Sequence, residues 1–190
     1  MKKTNLNELR DRADKCACEH GFHDREYSNE HWLMLIITEL SEAVDADRKG
    51  RHADKQAYLD TCHHSSTAFE DHVKDTLEDE LADVVIRSLD LAGLKDINLE
   101  LIGPLCKLYS GIVETLMVEA GREEVNPIPE FGYTLCEFIT ENKIEIEVRV
   151  IGIIAMVTCY CDAVGIDLQW HIEQKMKYNE TRPRLNGKNY

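Results

Sequence analysis

Long hydrophobic runs are missing from this sequence. The longest lies near residues 148–157, is interrupted by Arg149, and falls well short of the roughly 20 apolar residues that a membrane-spanning helix needs. We therefore expect no membrane partner. A hydrophobic content of 43% in 190 residues is instead typical of one globular domain with a sizeable core.

Positive charge is also scarce. The chain has 22 Lys and Arg against 36 Asp and Glu, which gives a formal net charge of -14. A chain of this sign repels nucleic acids and anionic membrane surfaces, so we expect neither as a partner. Nucleotides stay open as ligands, because an acidic protein can bind them through divalent cations and a few locally concentrated Lys and Arg.

A secretory pattern is absent from residues 1–7, which lack a charged segment followed by an apolar one. The chain has seven Cys, an odd number that does not suit a closed disulfide framework. Both features favour a reducing compartment, and we expect a cytoplasmic protein.

Proline is rare, with four residues at positions 104, 127, 129 and 183, and most of these fall at expected breaks. Long stretches can therefore run as helix without a lost backbone donor. Apolar residues recur at helical spacing, and we predict an all-α fold with helices at residues 29–49, 70–94, 97–121, 130–165 and 167–178. Residues 145–150 are rich in β-branched side chains, but the length of the surrounding pattern favours helix there too.

Two acidic pairs lie on the first two of these helices. Glu39 and Glu42 are three residues apart, and Glu80 and Asp83 repeat that spacing. The two side chains of each pair therefore project from the same face of their helix. If the two helices pack in antiparallel fashion, the pairs form an oxygen-rich pocket suited to Mg²⁺ or Mn²⁺.

The simplest alternative is that these acids belong to a solvated face. The first pair argues against it, because a helical wheel places Trp32 and Leu35 beside Glu39 and Glu42, so that apolar surface borders the carboxylates. Four like charges at an apolar edge destabilise a fold unless a cation compensates them.

Three sequence blocks resemble the MazG-like nucleotide pyrophosphohydrolase family, and together they cover about half of the chain. They are Glu39-Leu-Ser-Glu42, the run Leu77-Glu-Asp-Glu-Leu-Ala-Asp-Val-Val-Ile-Arg-Ser-Leu-Asp-Leu-Ala92, and Lys175-Met-Lys-Tyr-Asn-Glu-Thr-Arg-Pro183. The chain departs from the family pattern in a longer stretch between the acidic pairs, residues 51–69, and in a long stretch at residues 95–164.

The resemblance implies a helical bundle that hydrolyses a nucleoside triphosphate to the monophosphate and pyrophosphate, with Mg²⁺ held by Glu39, Glu42, Glu80 and Asp83. We interpret residues 51–69 as a longer loop and residues 95–164 as an inserted helical hairpin in a single domain. Family members commonly assemble, so a homodimer or higher homo-oligomer is expected.

The clearest basic cluster stands near the end of the chain. By the same resemblance, a phosphate or nucleotide role falls on Lys175, Asn179 and Arg182, although cations at a helix C-terminus can simply complement its dipole. Trp32 and Tyr178 are candidates to stack on a base, though a Trp at helical spacing is more often a core residue.

Two further sets of residues were considered for zinc and set aside, because neither has a recognised ligand spacing. They are Cys16, Cys18, His20 and His23, and the run Cys62-His63-His64. An ion pair between Asp83 and Arg87 is also compatible with their spacing. Two other functions stay open: a dUTP or modified-nucleotide diphosphatase on the same scaffold, and a non-catalytic helical interaction module.

Overall fold

The protein is all helical over the part of the chain that the computed structural model describes, residues 5–61, 66–119 and 128–187. This confirms the predicted fold class. The α-helices within those ranges are α1 (Leu6–Glu19), α2 (Asn29–Arg48), α3 (Lys55–Asp60), α4 (Ser66–His72), α5 (Leu77–Leu94), α6 (Ile102–Glu119), α7 (Ile128–Thr140), α8 (Ile146–Val164) and α9 (Leu168–Asn179). Short 3-10 turns lie at Leu99–Leu101 and Arg184–Gly187.

Helix α2 begins and ends where the sequence pattern placed it. The Ser28 hydroxyl accepts a hydrogen bond from the His31 amide at 3.3 Å, which satisfies one of the free donors of the first turn. At the other end Gly50 adopts φ +65, the left-handed conformation that suits glycine after a helix. The predicted helix at residues 29–49 is confirmed.

The single helix predicted at residues 70–94 is wrong in its first part. Asp75 adopts φ 59, and Thr76 caps a new helix by accepting a hydrogen bond from the Asp79 amide. The turn therefore separates α4 from α5. Three acidic residues in the first turn of α5 then favour its start there, because the N-terminal end of a helix carries positive potential.

The stretch at residues 51–69 is not simply a loop. It contains α3, which Asp54 caps by accepting from the Ala57 amide at 2.8 Å, and the first residues of α4. A small apolar cluster joins these helices to α9 and comprises Tyr58, Ala68, Phe69 and Val73, with Trp170 and Tyr178 against them. The segment that contains Cys62-His63-His64 lies outside the described residues.

The stretch at residues 95–164 is helical as predicted, but its described residues, 95–119 and 128–164, form three α-helices, α6, α7 and α8, rather than a two-helix hairpin. The helix predicted at residues 130–165 is divided by a turn at residues 141–145. The Arg149 guanidinium crosses this turn and donates to the Glu141 and Ile144 carbonyls, both at 2.6 Å. The β-branched residues after the turn form helix, as expected.

Helix α5 is the centre of the molecule. It packs against α1, α2, α8 and α9, while α6 and α7 complete the core around α8. Leu81, Val84 and Leu89 on α5 are fully or almost fully buried, as are most residues of α8. Ion pairs from Arg12 on α1 to Glu173 and Glu180 then tie α1 to the last helix.

Among the described helices, none alone is both long and apolar enough to cross a membrane. Helices α8 and α9 satisfy the length and composition criteria only when taken together, and the chain bends by 119° between them.

Candidate metal centre

Three of the four predicted carboxylates meet between α2 and α5. Glu39 projects from α2, Glu80 and Asp83 project from α5, and one oxygen from each lies within 4.8 Å of the other two. Glu39 and Glu80 are only 4% exposed. We call Glu39, Glu80 and Asp83 the oxygen cluster. The three-residue spacing on α5 and the packing of α5 against α2 produce it.

The fourth predicted carboxylate stands apart. Glu42 is exposed on α2 and is not part of the group of oxygens within 4.8 Å of one another. It remains close enough to contribute to the electrostatic environment of Glu39. The structure therefore brings three of the four predicted ligands together and leaves Glu42 at the solvent side.

Arg87 is the partner of Glu39. Its guanidinium Nε donates to Glu39 Oε1 across the interface of α2 and α5. Sequence spacing had suggested a pair between Arg87 and Asp83 on one helix, but the hydrogen bond crosses to the other helix. Burial and the neighbouring Asp83 still raise the pKa of Glu39, although Arg87 opposes them.

Lys175 lies inside the molecule, with 4% of its surface exposed. Its ammonium group is 2.6 Å from Asp79 Oδ2 and 2.8 Å from Asp83 Oδ2. Burial lowers the pKa of Lys175, but Asp83 and Asp79 outweigh this effect and raise it. Lys175 was predicted to contact phosphate; in the structure it is buried, pairs with Asp79 and Asp83, and is not among the residues that line the cavity described below.

The oxygen cluster carries more negative charge than its neighbours compensate. Burial, followed by Asp83, raises the pKa of Glu80 to about 8. Burial also raises the pKa of Asp79 to about 7 despite Lys175. Burial disfavours the charged form of a carboxyl and is the largest cause of both shifts. A divalent cation at the oxygen cluster would favour the charged form of Glu80.

A cavity of about 90 Å³ opens beside the oxygen cluster, between α1, α2, α5 and α9. Glu39 and Asp83 line it, and so do three other predicted residues, Trp32, Asn179 and Arg182. The rest of the wall combines apolar and polar side chains, which are Ala13, Cys16, Ala17, His20, Phe22, Ile86, Arg87, Asp90 and Met176. The structure thus brings five of the nine predicted site residues to one cavity.

The two aromatic candidates differ in position. Trp32 lines the cavity but is mostly buried, 6% exposed, with the rings of His23, Tyr27 and His31 packed edge-on around it. Tyr178 stacks on Phe69 at 4.7 Å and its hydroxyl donates to Glu70 at 2.8 Å. Tyr178 is therefore engaged with α4 and does not line the cavity.

Sequence reasoning missed Asp79 and Asp90 on α5. Asp79 is completely buried and holds Lys175; Asp90 lines the cavity and faces His23. Asp90 follows Asp83 by seven residues, which is about two helical turns, so the two carboxylates share a face. This spacing could have indicated from the sequence that Asp90 lies near Asp83. For Asp79 the only such indication was its place among the buried positions of the α5 pattern.

Comparison of the chain with protein-family models, with curated proteins and with solved structures gives no match. The resemblance to the MazG-like family accordingly rests on the three sequence blocks quoted above.

Proposed function

We propose that the protein is a Mg²⁺-dependent, or Mn²⁺-dependent, hydrolase that converts a nucleoside triphosphate to the monophosphate and pyrophosphate. The observation that carries this proposal is the convergence of Glu39, Glu80 and Asp83, because Glu39 and Asp83 line a cavity that Asn179 and Arg182 also line. The three sequence blocks that resemble the MazG-like family contain all of these residues.

The donor atoms fit a hard divalent cation. All three groups of the oxygen cluster offer carboxylate oxygens, the ligands that Mg²⁺ and Mn²⁺ prefer over the sulfur and nitrogen ligands typical of zinc. The charges fit as well. Carboxylates at five positions, 39, 42, 79, 80 and 83, are opposed by the cations Arg87 and Lys175 alone in the interactions described above.

When bound, the cation would supply positive charge to phosphate oxygens and lower the pKa of a coordinated water. Glu39, Glu80 and Asp83 would hold it, and exposed Glu42 is the remaining predicted ligand. Lys175 and Arg87 fix two of the carboxylates, since Lys175 donates to Asp83 and Arg87 donates to Glu39. A rigid ligand set of this kind limits reorganisation during the reaction.

The phosphate chain would run from the oxygen cluster toward the end of α9. Arg182 offers a planar guanidinium for phosphate oxygens, and the Asn179 amide can pair with sugar or phosphate. The apolar part of the cavity wall, which includes Trp32, is suited to the flat face of a base. The carboxylate that accepts the proton of the attacking water belongs to the same set of four, Glu39, Glu42, Glu80 and Asp83.

The direct experiment is an assay of the purified chain against a panel of ribo- and deoxynucleoside triphosphates with Mg²⁺, Mn²⁺ or a chelator. We expect metal-dependent release of pyrophosphate and a monophosphate for at least one nucleotide. A marked preference for dUTP or for a modified nucleotide would identify the dUTP or modified-nucleotide diphosphatase alternative. No hydrolysis across the panel, with no stabilisation by Mg²⁺, would contradict the proposal and favour a non-catalytic interaction module.

A homodimer remains our prediction for the assembly. Leu101, just before α6, is 58% exposed, and Leu108 on α6 is 63% exposed. A second subunit would cover this apolar surface. Light scattering at assay concentration measures the outcome. A mass of 21.8 kDa for the fully active protein would contradict obligate assembly.

A further inference from the structure

A second group of ligand atoms lies at the end of α1, away from the oxygen cluster. Asp14 and Cys18 are one helical turn apart on α1, and His23 stands in the segment that joins α1 to α2. His23 Nδ1 is 3.1 Å from Cys18 Sγ and 3.5 Å from Asp14 Oδ1. All three ligand atoms lie within 4.8 Å of one another. We call Asp14, Cys18 and His23 the mixed cluster.

Asp90 determines how the imidazole is oriented. Its Oδ1 lies 2.9 Å from His23 Nε2, and its side chain is only 14% exposed. This contact is an ion-pair distance without hydrogen-bond alignment, and it leaves Nδ1 facing Asp14 and Cys18. An imidazole with one nitrogen against a carboxylate and the other turned to further ligands resembles the arrangement found in carboxylate–histidine–metal sites.

The separations match the dimensions of a tetrahedral zinc site. Bond lengths of roughly 2.0 to 2.3 Å from zinc to nitrogen, oxygen and sulfur place neighbouring ligand atoms roughly 3.4 to 3.6 Å apart. The two distances from His23 Nδ1, 3.1 and 3.5 Å, require adjustments of only a few tenths of an ångström. The third separation, from Cys18 Sγ to Asp14, lies within 4.8 Å, and the Cys18 side chain is exposed.

We propose that Asp14, Cys18 and His23 bind Zn²⁺, or a similar borderline transition-metal ion, and that Asp90 positions His23 for this. The donor set of one sulfur, one nitrogen and one oxygen separates this site from the oxygen cluster, whose ligands are oxygens alone. Because Cys18 lies at the surface, the fourth coordination position faces solvent and takes water. The proposal is independent of the hydrolase function.

These residues do not follow a recognised zinc spacing, since Cys16 and Cys18 are separated by one residue. The structure explains why Cys16, Cys18, His20 and His23 need not form a single set of zinc ligands. Cys16 contacts His20 instead, and the ring nitrogens of His20 face the Cys16 and Arg182 carbonyls at 2.7 and 2.9 Å. Cys16 and His20 are thus engaged in local structure, and Asp14 completes the ligand set in their place.

The rival explanation is an ion pair without metal. The carboxylate of Asp90, as the acceptor that faces the imidazole, raises the pKa of His23 despite burial, so protonated His23 can lie between Asp90 and Asp14 as a cation. Zinc would replace the proton on Nδ1 and convert Cys18 to the thiolate. The rival therefore predicts no metal–thiolate bond, whereas our proposal requires one.

A bound ion would connect the end of α1 to the segment before α2. The His23 ring lies edge-on to Trp32, with ring centroids 5.7 Å apart, and Trp32 lines the cavity beside the oxygen cluster. The mixed cluster is therefore placed to fix one wall of that cavity without contacting its contents.

Cobalt is the probe that tests the site. The chelator-treated, reduced full-length protein is titrated with Co²⁺, and a thiolate-to-cobalt charge-transfer band is followed in the near ultraviolet. We expect the band to saturate at one equivalent and to disappear on addition of Zn²⁺. Cobalt bound to carboxylates alone gives no such band, so binding to the oxygen cluster does not interfere.

Matched variants locate the ligands. Cys18→Ser should abolish the band, and Asp90→Asn should weaken Co²⁺ and Zn²⁺ binding by about 10- to 100-fold, as loss of an orienting carboxylate does at other sites. Cys16→Ser, Cys62→Ser and the double change Glu39→Gln with Glu80→Gln should retain it. Circular dichroism of each variant verifies that the helix content is unchanged.

The proposal is overturned if the wild-type protein shows no charge-transfer band at stoichiometric Co²⁺, because the cluster is then an ion pair only. It is equally overturned if the band survives in Cys18→Ser or is lost in Cys16→Ser or Cys62→Ser. Hydrolase activity has no part in these readouts, so a failed nucleotide assay leaves the result of this test unaffected.

Discussion

Helix α5 contributes to both clusters but in different ways. In the oxygen cluster Glu80 and Asp83 offer their own oxygens to a cation, and Glu39 on α2 supplies a third. Beside the mixed cluster, Asp90 is not an expected ligand of the proposed ion and only orients His23. The comparison shows that the helix opposite α5 determines the chemistry: α2 presents another carboxylate, whereas α1 and the segment after it present Cys, His and Asp.

The largest expected effect follows from removing Lys175, the cation that pairs with Asp79 and with Asp83 of the oxygen cluster. Lys175→Met removes the cation that lies 2.6 Å from buried Asp79 and 2.8 Å from Asp83. An uncompensated buried charge remains, so the free energy of unfolding should fall by about 3 to 5 kcal/mol. Urea denaturation measures it.

Two variants sharpen this test. Lys177→Met changes an exposed lysine on the same helix and should have an effect within about 0.5 kcal/mol. Adding Asp79→Asn to Lys175→Met removes the orphaned charge and should restore much of the lost stability. Equal effects of Lys175→Met and Lys177→Met would contradict the ion pair as the source of stability.

The second prediction separates the two clusters by their preferred ion. At a Mg²⁺ concentration 100 times the dissociation constant, wild-type protein should gain about 2.7 kcal/mol of stability by mass action. Glu39→Gln with Glu80→Gln should lose this gain together with hydrolysis, whereas Cys18→Ser should keep both. Calorimetric unfolding with and without Mg²⁺ measures the gain. A double variant that Mg²⁺ still stabilises fully would show that the oxygen cluster is not the site.

The third prediction compares two arginines that follow α9. Arg182 lines the cavity on the side of the oxygen cluster, while Arg184 pairs with Asp24 and lies against Gly21, near the mixed cluster. Loss of a hydrogen bond to a charged group costs about 1.5 to 3 kcal/mol, so Arg182→Ala should raise KM by roughly 10- to 100-fold. Arg184→Ala should leave KM unchanged.

Steady-state kinetics on the preferred nucleotide decide the comparison, and truncation after Tyr178 extends it to the whole tail. Unchanged KM and kcat in Arg182→Ala and in the truncated chain would mean that the end of α9 takes no part in substrate binding.

The fourth prediction concerns pH. The pKa of Glu80 is raised from its ordinary value of 4.5 to about 8, so the folded state retains a proton that the unfolded state releases. Stability of the chelator-treated protein should therefore fall as pH rises from 4.5 to about 8. Glu80→Gln should reduce this slope, and saturating Mg²⁺ should reduce it too. A slope identical in wild type and Glu80→Gln would contradict the raised pKa.

The sequence was informative about residues whose role depends on one helix. Glu39, Glu80 and Asp83 could be predicted because a three-residue spacing fixes which side chains share a face. Lys175 could not be placed correctly in this way. It lies three residues after buried Ile172 and next to buried Met176, on the inner face of α9, yet its partner Asp79 is 96 residues earlier.

The errors in the fold have a similar cause. The apolar spacing continues across Asp75 and Thr76, so periodicity alone joined α4 to α5, although the left-handed backbone of Asp75 and the Thr76 cap divide them. The mixed cluster was set aside for a related reason. Its ligands follow no zinc spacing because one of them, Asp14, belongs to neither of the residue types that define such patterns.

The pairing of Lys175 with Asp79 also has a consequence for the order of events during synthesis. At about 5 to 20 residues per second, the ribosome needs roughly 5 to 20 seconds to add the 96 residues between the two partners. Throughout that interval α2 and α5 can emerge and pack while Asp79 and Asp83 still lack their cation. A divalent ion captured by the nascent α2–α5 pair would hold the acidic residues together until α9 arrives, so cellular magnesium would act on the yield of folded chains before any substrate is encountered.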